Sequence, residues 1–421
     1  MQYESVNTAM EPFPGKLWVE VDVPKGPQVR WFEDEDSVMF RTNNYGGYEP
    51  TLITFFGPRD QQTQWAVRLA SELPGTENGT FASFRTFELF FDDYDLERQG
   101  LARRRLVSYM SPTITEAPVY TQTVNMSNDS LYAMIEQCRE TGFEILAFSF
   151  DSGFNMETTN QSQLDYYKYI IEYAHSFDIE VGGYDLIDMG RNVSEYNRME
   201  VNGQQPDGAC FASGWVDELT GYVDNFIDYC GGSMIITDGP YPGWSCADTQ
   251  HKYHENLDDS VFRQTYLQNA WYLYYRNKNV YIHSPDSYYY FGINKNKYPY
   301  NEKTTTLPRW WDLTVYRQLM YDNSYRIPVT AGWMFLPMTS YHQGGEDAVF
   351  EPVSEHVSDY SFALGQYFSY AVAATIRGNE LYDNNETMQV VKNWVRYYKK
   401  YRSILISDIV HLIRPNNLDI D

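Results

Sequence analysis

Acidic residues recur directly after short apolar runs in this 421-residue chain. Asp151 follows Glu144–Phe150, Tyr184 and Asp185 stand near the end of Glu180–Leu186, Asp238 follows Ser233–Thr237, and Asp286 comes shortly after Asn279–His283. Tyrosine, tryptophan and histidine are interleaved with them: Tyr241, Trp244, His283, Trp333, Tyr341 and His342. Carboxyl groups at the ends of strands, beside flat rings with a polar edge, suit the hydrolysis of a sugar acetal. That reaction needs one carboxyl group to protonate the departing oxygen and another to attack C1 or activate water. Any one of these acids alone is equally well read as a helix N-cap, and the aromatic residues as core or interface; the case rests on several together.

Asp238 is the first candidate for the attacking group. It ends an apolar run and leads into Gly239-Pro240-Tyr241-Pro242-Gly243, a stiff, non-helical segment that would hold a carboxylate still. Its acid partner is Glu302 or Asp286 by position; a solvated charge beside Lys303 and a cap in Ser-Pro-Asp are the alternatives. Sugar-binding candidates are Asp151, Tyr184, Asp185, Tyr241, Trp244, His283, Trp333, Tyr341 and His342, with Lys295 and Arg309 for a carboxylate or sulfate substituent. Cys246, His251 and His254 form a Cys-x4-His-x2-His cluster that Asp238 or Asp248 would complete to four ligands. The spacing matches no familiar finger pattern, so structural or substrate-binding histidines are preferred and no metal or other cofactor is assigned.

The elements that must position these residues follow from the patterning. Residues 1–105 read as short alternating β segments broken by Gly, Pro and acidic clusters, a β-rich, sandwich-like domain that looks incomplete. Over 106–410, apolar runs at Leu106–Met110, Glu144–Phe150, Glu180–Leu186, Ser233–Thr237, Asn279–His283 and Val329–Leu336 alternate with helical stretches. Two weakly marked strands near Thr304 and Ala371 would complete an α/β fold of the (β/α)8 TIM-barrel type. Ile404–Ile413 reads as a further strand, and 411–421 as the start of a C-terminal β segment. No Gly-x-Gly-x-x-Gly follows a strand, which removes the simplest sign of a dinucleotide fold.

Composition narrows the partners. With 32 basic against 57 acidic residues the formal net charge is −25, a sign that repels nucleic acid and anionic membranes. Aromatic residues make up 17%, including 38 Tyr, which favours a carbohydrate substrate; nothing bears on assembly state. Six Asn-x-Ser/Thr triplets, at Asn78, Asn125, Asn128, Asn160, Asn192 and Asn385, lean toward a secreted glycoprotein. A disulfide among Cys210, Cys230 and Cys246 would fit that compartment, with Cys138 left in the core.

The succession Phe148-Ser149-Phe150-Asp151-Ser152-Gly153-Phe154, a helix, Glu180–Tyr184, another helix, and a strand ending in Asp238 resembles the α-galactosidase/α-N-acetylgalactosaminidase superfamily of barrel glycosidases. The likeness spans about Leu106–Pro415 and is one of layout. It implies a retaining glycoside hydrolase acting on an α-linked, galactose-type sugar, with Asp238 as nucleophile and Asp151 as a substrate-binding carboxylate. The superfamily's acid is an Asp in an Arg-rich context that has no match here. Tyr94–Gly100, Asp238–Gly243 and Arg377–Asp383 also resemble glycosidase-like proteins of polysaccharide-degrading microbes. The competing readings are a non-catalytic carbohydrate-binding or structural glycoprotein and a metal-dependent hydrolase built on His251, His254 and Asp238.

Overall fold

The computed structural model describes residues 117–188, 195–238, 245–283, 333–339 and 349–412, a few isolated helical positions including Arg105 and Arg309, and six N-terminal strands as backbone. Of those six, β1 (Lys16–Asp22) pairs antiparallel with β6 (Arg85–Phe91). β2 (Gln28–Asp34), β3 (Ser37–Asn43), β4 (Leu52–Phe56) and β5 (Trp65–Val67) form an antiparallel sheet in chain order.

The rest is a βα alternation: β7 (Tyr120–Thr123), α1 (Asn128–Thr141), β8 (Ile145–Phe148), α2 (Gln161–His175), β9 (Glu180–Leu186), α3 (Trp215–Asp224), β10 (Met234–Asp238), α4 (Leu257–Asn277), β11 (Tyr281–His283), β12 (Trp333–Pro337), α5 (Val357–Ser369), β13 (Ala373–Gly378) and α6 (Asn385–Leu405). The seven strands β7–β13 make one curled sheet in the order β11-β10-β9-β8-β7-β13-β12, with every neighbouring pair parallel. The last strand lies beside the first, with Ile376 opposite Thr121 and Gly378 opposite Thr123.

Two apolar layers follow from the period of two along each strand. Outward residues such as Leu146, Phe148, Val181, Ile235, Ile282 and Ile376 join the helix faces in a single core. Leu131, Met134, Ile135 and Cys138 on α1, and Leu164, Tyr167, Ile170, Ile171 and Ala174 on α2, supply those faces at three- and four-residue spacing. Each large side chain buried this way contributes on the order of 2 kcal/mol. Inward residues form a separate cluster of Tyr120, Ile145, Ala147, Met234 and Ile236, with Tyr184 and Tyr281 packed against it. Gly182 belongs to this face: a Cβ there would meet the Cβ of Met234 at 2.8 Å, so the neighbouring strands approach where no side chain fits.

Three expectations are corrected. The described sheet begins with β7, which the sequence reading passed over because Tyr-Thr-Gln-Thr carries no apolar run; the expected strand at Leu106–Met110 and the one near Thr304 lie outside the described residues. Ile404 and Leu405 close α6 instead of opening a strand, and the segment from Ser407 to Leu412 has no strand structure. All four cysteines are free and buried, so no disulfide joins Cys210, Cys230 and Cys246; Cys230 donates instead to the Leu164 carbonyl at 3.3 Å.

Candidate active site

Asp238 shares the inward face of β10 with Met234 and Ile236, two and four residues earlier, and is half-buried where the strand ends. The Tyr184 hydroxyl donates to its Oδ2 at 2.7 Å. Tyr184 is itself held, its ring 5.7 Å from that of Phe150. The backbone on either side is tied down: Ile187 N–H donates to the Asp238 carbonyl at 3.1 Å, and the Thr237 hydroxyl, on the outward face, bonds the Tyr272 hydroxyl on α4 at 2.7 Å. The carboxylate is therefore preorganised by a side-chain donor and a fixed strand end.

Two further acids stand beside it. Asp185 alternates onto the face opposite Tyr184, and burial pushes its carboxyl up to about 7. Asp188, just past β9 and almost fully buried, is pushed well above the usual carboxylate range by burial and then by the charges of Asp238 and Asp185. Its Oδ1 has no hydrogen-bond partner among the described residues. Sequence reasoning stopped at Asp185 and missed Asp188; the Asp-Leu-Ile-Asp spacing was the available signal.

Around the rim, a polar relay crosses three strands. Arg377 of β13 donates through Nε to Ser149 Oγ at 2.8 Å and through Nη2 to the Phe150 carbonyl at 2.9 Å, and Ser149 Oγ donates to Gln122 Oε1 of β7 at 3.1 Å. None of these three was singled out as a site residue. Asp151 follows in an exposed turn with φ +59°, a left-handed conformation that Asp tolerates better than most residues. His283 ends β11 fully buried, edge-on to the Tyr120 ring at 5.7 Å. On the β12–β13 side, burial and then the charge of Glu380 push the Glu351 carboxyl up to about 7, a second acidic pair the sequence reading missed.

Arg309 is paired near the start of α5: Nε faces Asp359 Oδ2 at 3.4 Å, Nη2 faces His356 Nδ1 at 2.9 Å, and Nη1 donates to the Val349 carbonyl. Of these partners, His356 and Asp359 lie just before and in the first turn of α5. Tyr241, Trp244, Asp286, Lys295, Glu302, Tyr341 and His342 lie outside the described residues, and Trp333 is described only as backbone in β12. Of the residues predicted for the site, the structure thus brings Asp238 and Tyr184 into contact, sets Asp185 behind them, and puts Asp151 and His283 at the ends of β8 and β11.

Cys246, His251 and His254 do converge, but the fourth donor is Cys210, not Asp238 or Asp248; the four candidate ligand atoms lie within 4.8 Å of one another.

The fold is similar to that of solved GH36 α-galactosidases. Among solved structures, the α-galactosidase AgaA of Geobacillus stearothermophilus, of family GH36, superposes with a TM-score of 0.61 at 9% identity, over 95% of this chain and 63% of that one. The Lactobacillus brevis α-galactosidase gives 0.55 at 11%, over 93% and 60%, and the galactosidase domain of the α-galactosidase-sucrose kinase AgaSK gives 0.54 at 14%, over 92% and 57%. The chain thus spans about three-fifths of the length of these proteins. No protein-family model and no curated protein sequence matches it.

Proposed function

We propose that the protein is a retaining glycoside hydrolase that removes an α-linked, galactose-type sugar from a glycan or polysaccharide, with Asp238 as the nucleophile. The carrying observation is the Asp238 carboxylate at the carboxyl end of an inward-facing strand, held by the Tyr184 hydroxyl at 2.7 Å. The fold shared with α-galactosidases supports the same reading. In this reading the fold is a (β/α)8 barrel preceded in sequence by a β-rich N-terminal domain. Asp286 or Glu302, both past β11 in the sequence, is the acid in this reading; a retaining pair needs its two carboxyl groups about 5 Å apart.

The acid transfers its proton to the glycosidic oxygen as the C1–O bond breaks and Asp238 bonds to C1, releasing the aglycone alcohol. Water then attacks C1, gives its proton back to the same acid, and the Asp238 ester bond breaks to free the sugar with its configuration retained. Asp151, on its exposed turn, and Tyr184, beside the nucleophile, are the residues we assign to sugar hydroxyls.

A panel of aryl α- and β-glycosides, with the α-galactoside first, tests the reading. Asp238→Asn should fold normally and lose turnover of whichever substrate the wild type cleaves. Wild-type turnover matched by the variant would remove Asp238 from the role.

A further inference from the structure

The geometry points to a structural zinc site of the Cys2His2 type formed by Cys210, Cys246, His251 and His254. All four are buried, and their Sγ and ring nitrogen atoms converge within 4.8 Å. His251 Nδ1 lies 3.0 Å from His254 Nε2 and 3.4 Å from Cys246 Sγ. A tetrahedral zinc with bonds of about 2.05 Å to nitrogen and about 2.3 Å to sulfur sets those separations near 3.3 and 3.6 Å. A single imidazole nitrogen carries either one proton or one lone pair. Hydrogen bonding alone therefore leaves His251 Nδ1 facing two close polar atoms with one bond to make, whereas a shared cation satisfies all of them.

The surroundings hold these donors as a metal's ligands are held. Asp248 Oδ2 lies 3.7 Å from His251 Nε2, behind the ring, and the Asn256 carbonyl lies 3.2 Å from His254 Nδ1, behind the other. The Met199 amide donates to Cys246 Sγ at 3.3 Å, which favours a thiolate, and the Cys246 amide donates to Ser260 Oγ at 3.0 Å. Two sulfurs and two nitrogens in a compact set suit zinc, and four protein ligands leave no open position for substrate or water.

The site stitches two loops. One runs from β9 to α3 and the other from β10 to α4; they meet through Ala247 N–H on the Met199 carbonyl at 2.7 Å and Tyr253 N–H on the Ala212 carbonyl at 3.0 Å. Among the described residues they share a small apolar cluster of Cys210, Ala212 and Cys246, flanked by Met199, Tyr253 and Leu267. The first loop also anchors Asp188, whose carbonyl accepts from Ala209 N–H at 2.8 Å. The metal would thus brace the acidic rim without touching it.

Elemental analysis of the full-length chain, purified without chelator and desalted, should find roughly one zinc per chain. Cys210→Ser and Cys246→Ser should each lower this about tenfold or more, while Cys230→Ser, outside the cluster, should keep it. Should the cluster variants not fold, cobalt(II) added to apo wild-type chain gives the readout: tetrahedral visible absorption with a thiolate charge-transfer band is expected. A chain that takes up no stoichiometric zinc or cobalt, an octahedral cobalt spectrum, zinc unaffected by folded cluster variants, or a Cys210–Cys246 disulfide in non-reducing peptide mapping would each overturn the proposal.

Discussion

Replacing Tyr184 by Phe removes one oxygen and little else. The ring would keep its packing against Phe150 at 5.7 Å, so the strand end that carries Asp238 should not move. What is lost is the 2.7 Å hydrogen bond from the hydroxyl to Asp238 Oδ2. A bond to an ionised group contributes about 1.5–3 kcal/mol, and at about 1.4 kcal/mol per factor of ten its loss corresponds to roughly 10- to 150-fold in rate. The bond orients the attacking oxygen rather than the substrate, so the loss should fall on kcat more than on KM. Initial rates on the aryl α-galactoside, with thermal unfolding of both proteins as the control for folding, measure it. A folded variant within twofold of wild type in kcat would refute the claim that this hydroxyl positions the nucleophile.

Two other perturbations test the surroundings. Burial pushes the Asp185 carboxyl from 3.8 to about 7, so the folded chain holds that proton more tightly than the unfolded one; its contribution favours folding below about pH 4 and is lost as pH rises through about 7. Asp185→Asn should therefore be more stable than wild type above pH 7, by up to about 4 kcal/mol, with the advantage shrinking toward pH 4; a gap in unfolding midpoint independent of pH would count against it. Gly182→Ala would put a Cβ 2.8 Å from the Met234 Cβ and 3.2 Å from its carbonyl oxygen, and should cost about 1–3 kcal/mol in urea unfolding; an unchanged midpoint would contradict the close strand approach.

The alternation of strand and helix was legible because outward strand faces and helix stripes are both apolar and differ in period. β7 was not, since its inward Gln122 and outward Thr121 and Thr123 are buried by neighbours that the sequence does not show as neighbours. Asp238 and Tyr184 were legible because strand ends present them in order. The relay from Arg377 to Ser149 and Gln122 was not, because 228 residues separate its first two members. Cys210 escaped for the same reason, leaving Cys246, His251 and His254 looking one ligand short. The triplets at Asn125, Asn160 and Asn385 reflect helix starts as well: Ser127 caps α1, Asn160 caps α2, and Thr387 completes the capping box of α6.

The pairing of β13 with β7 has a kinetic consequence. Its contacts join positions about 255 residues apart, among the most distant in the sheet, so they carry a high loop-closure cost and should form late. On the ribosome, β7 must wait with an unsatisfied edge until synthesis has passed Gly378. During that interval the nascent chain offers a template for wrong pairings, and a chaperone that masks this edge would raise the yield of native protein more than one acting on the finished chain.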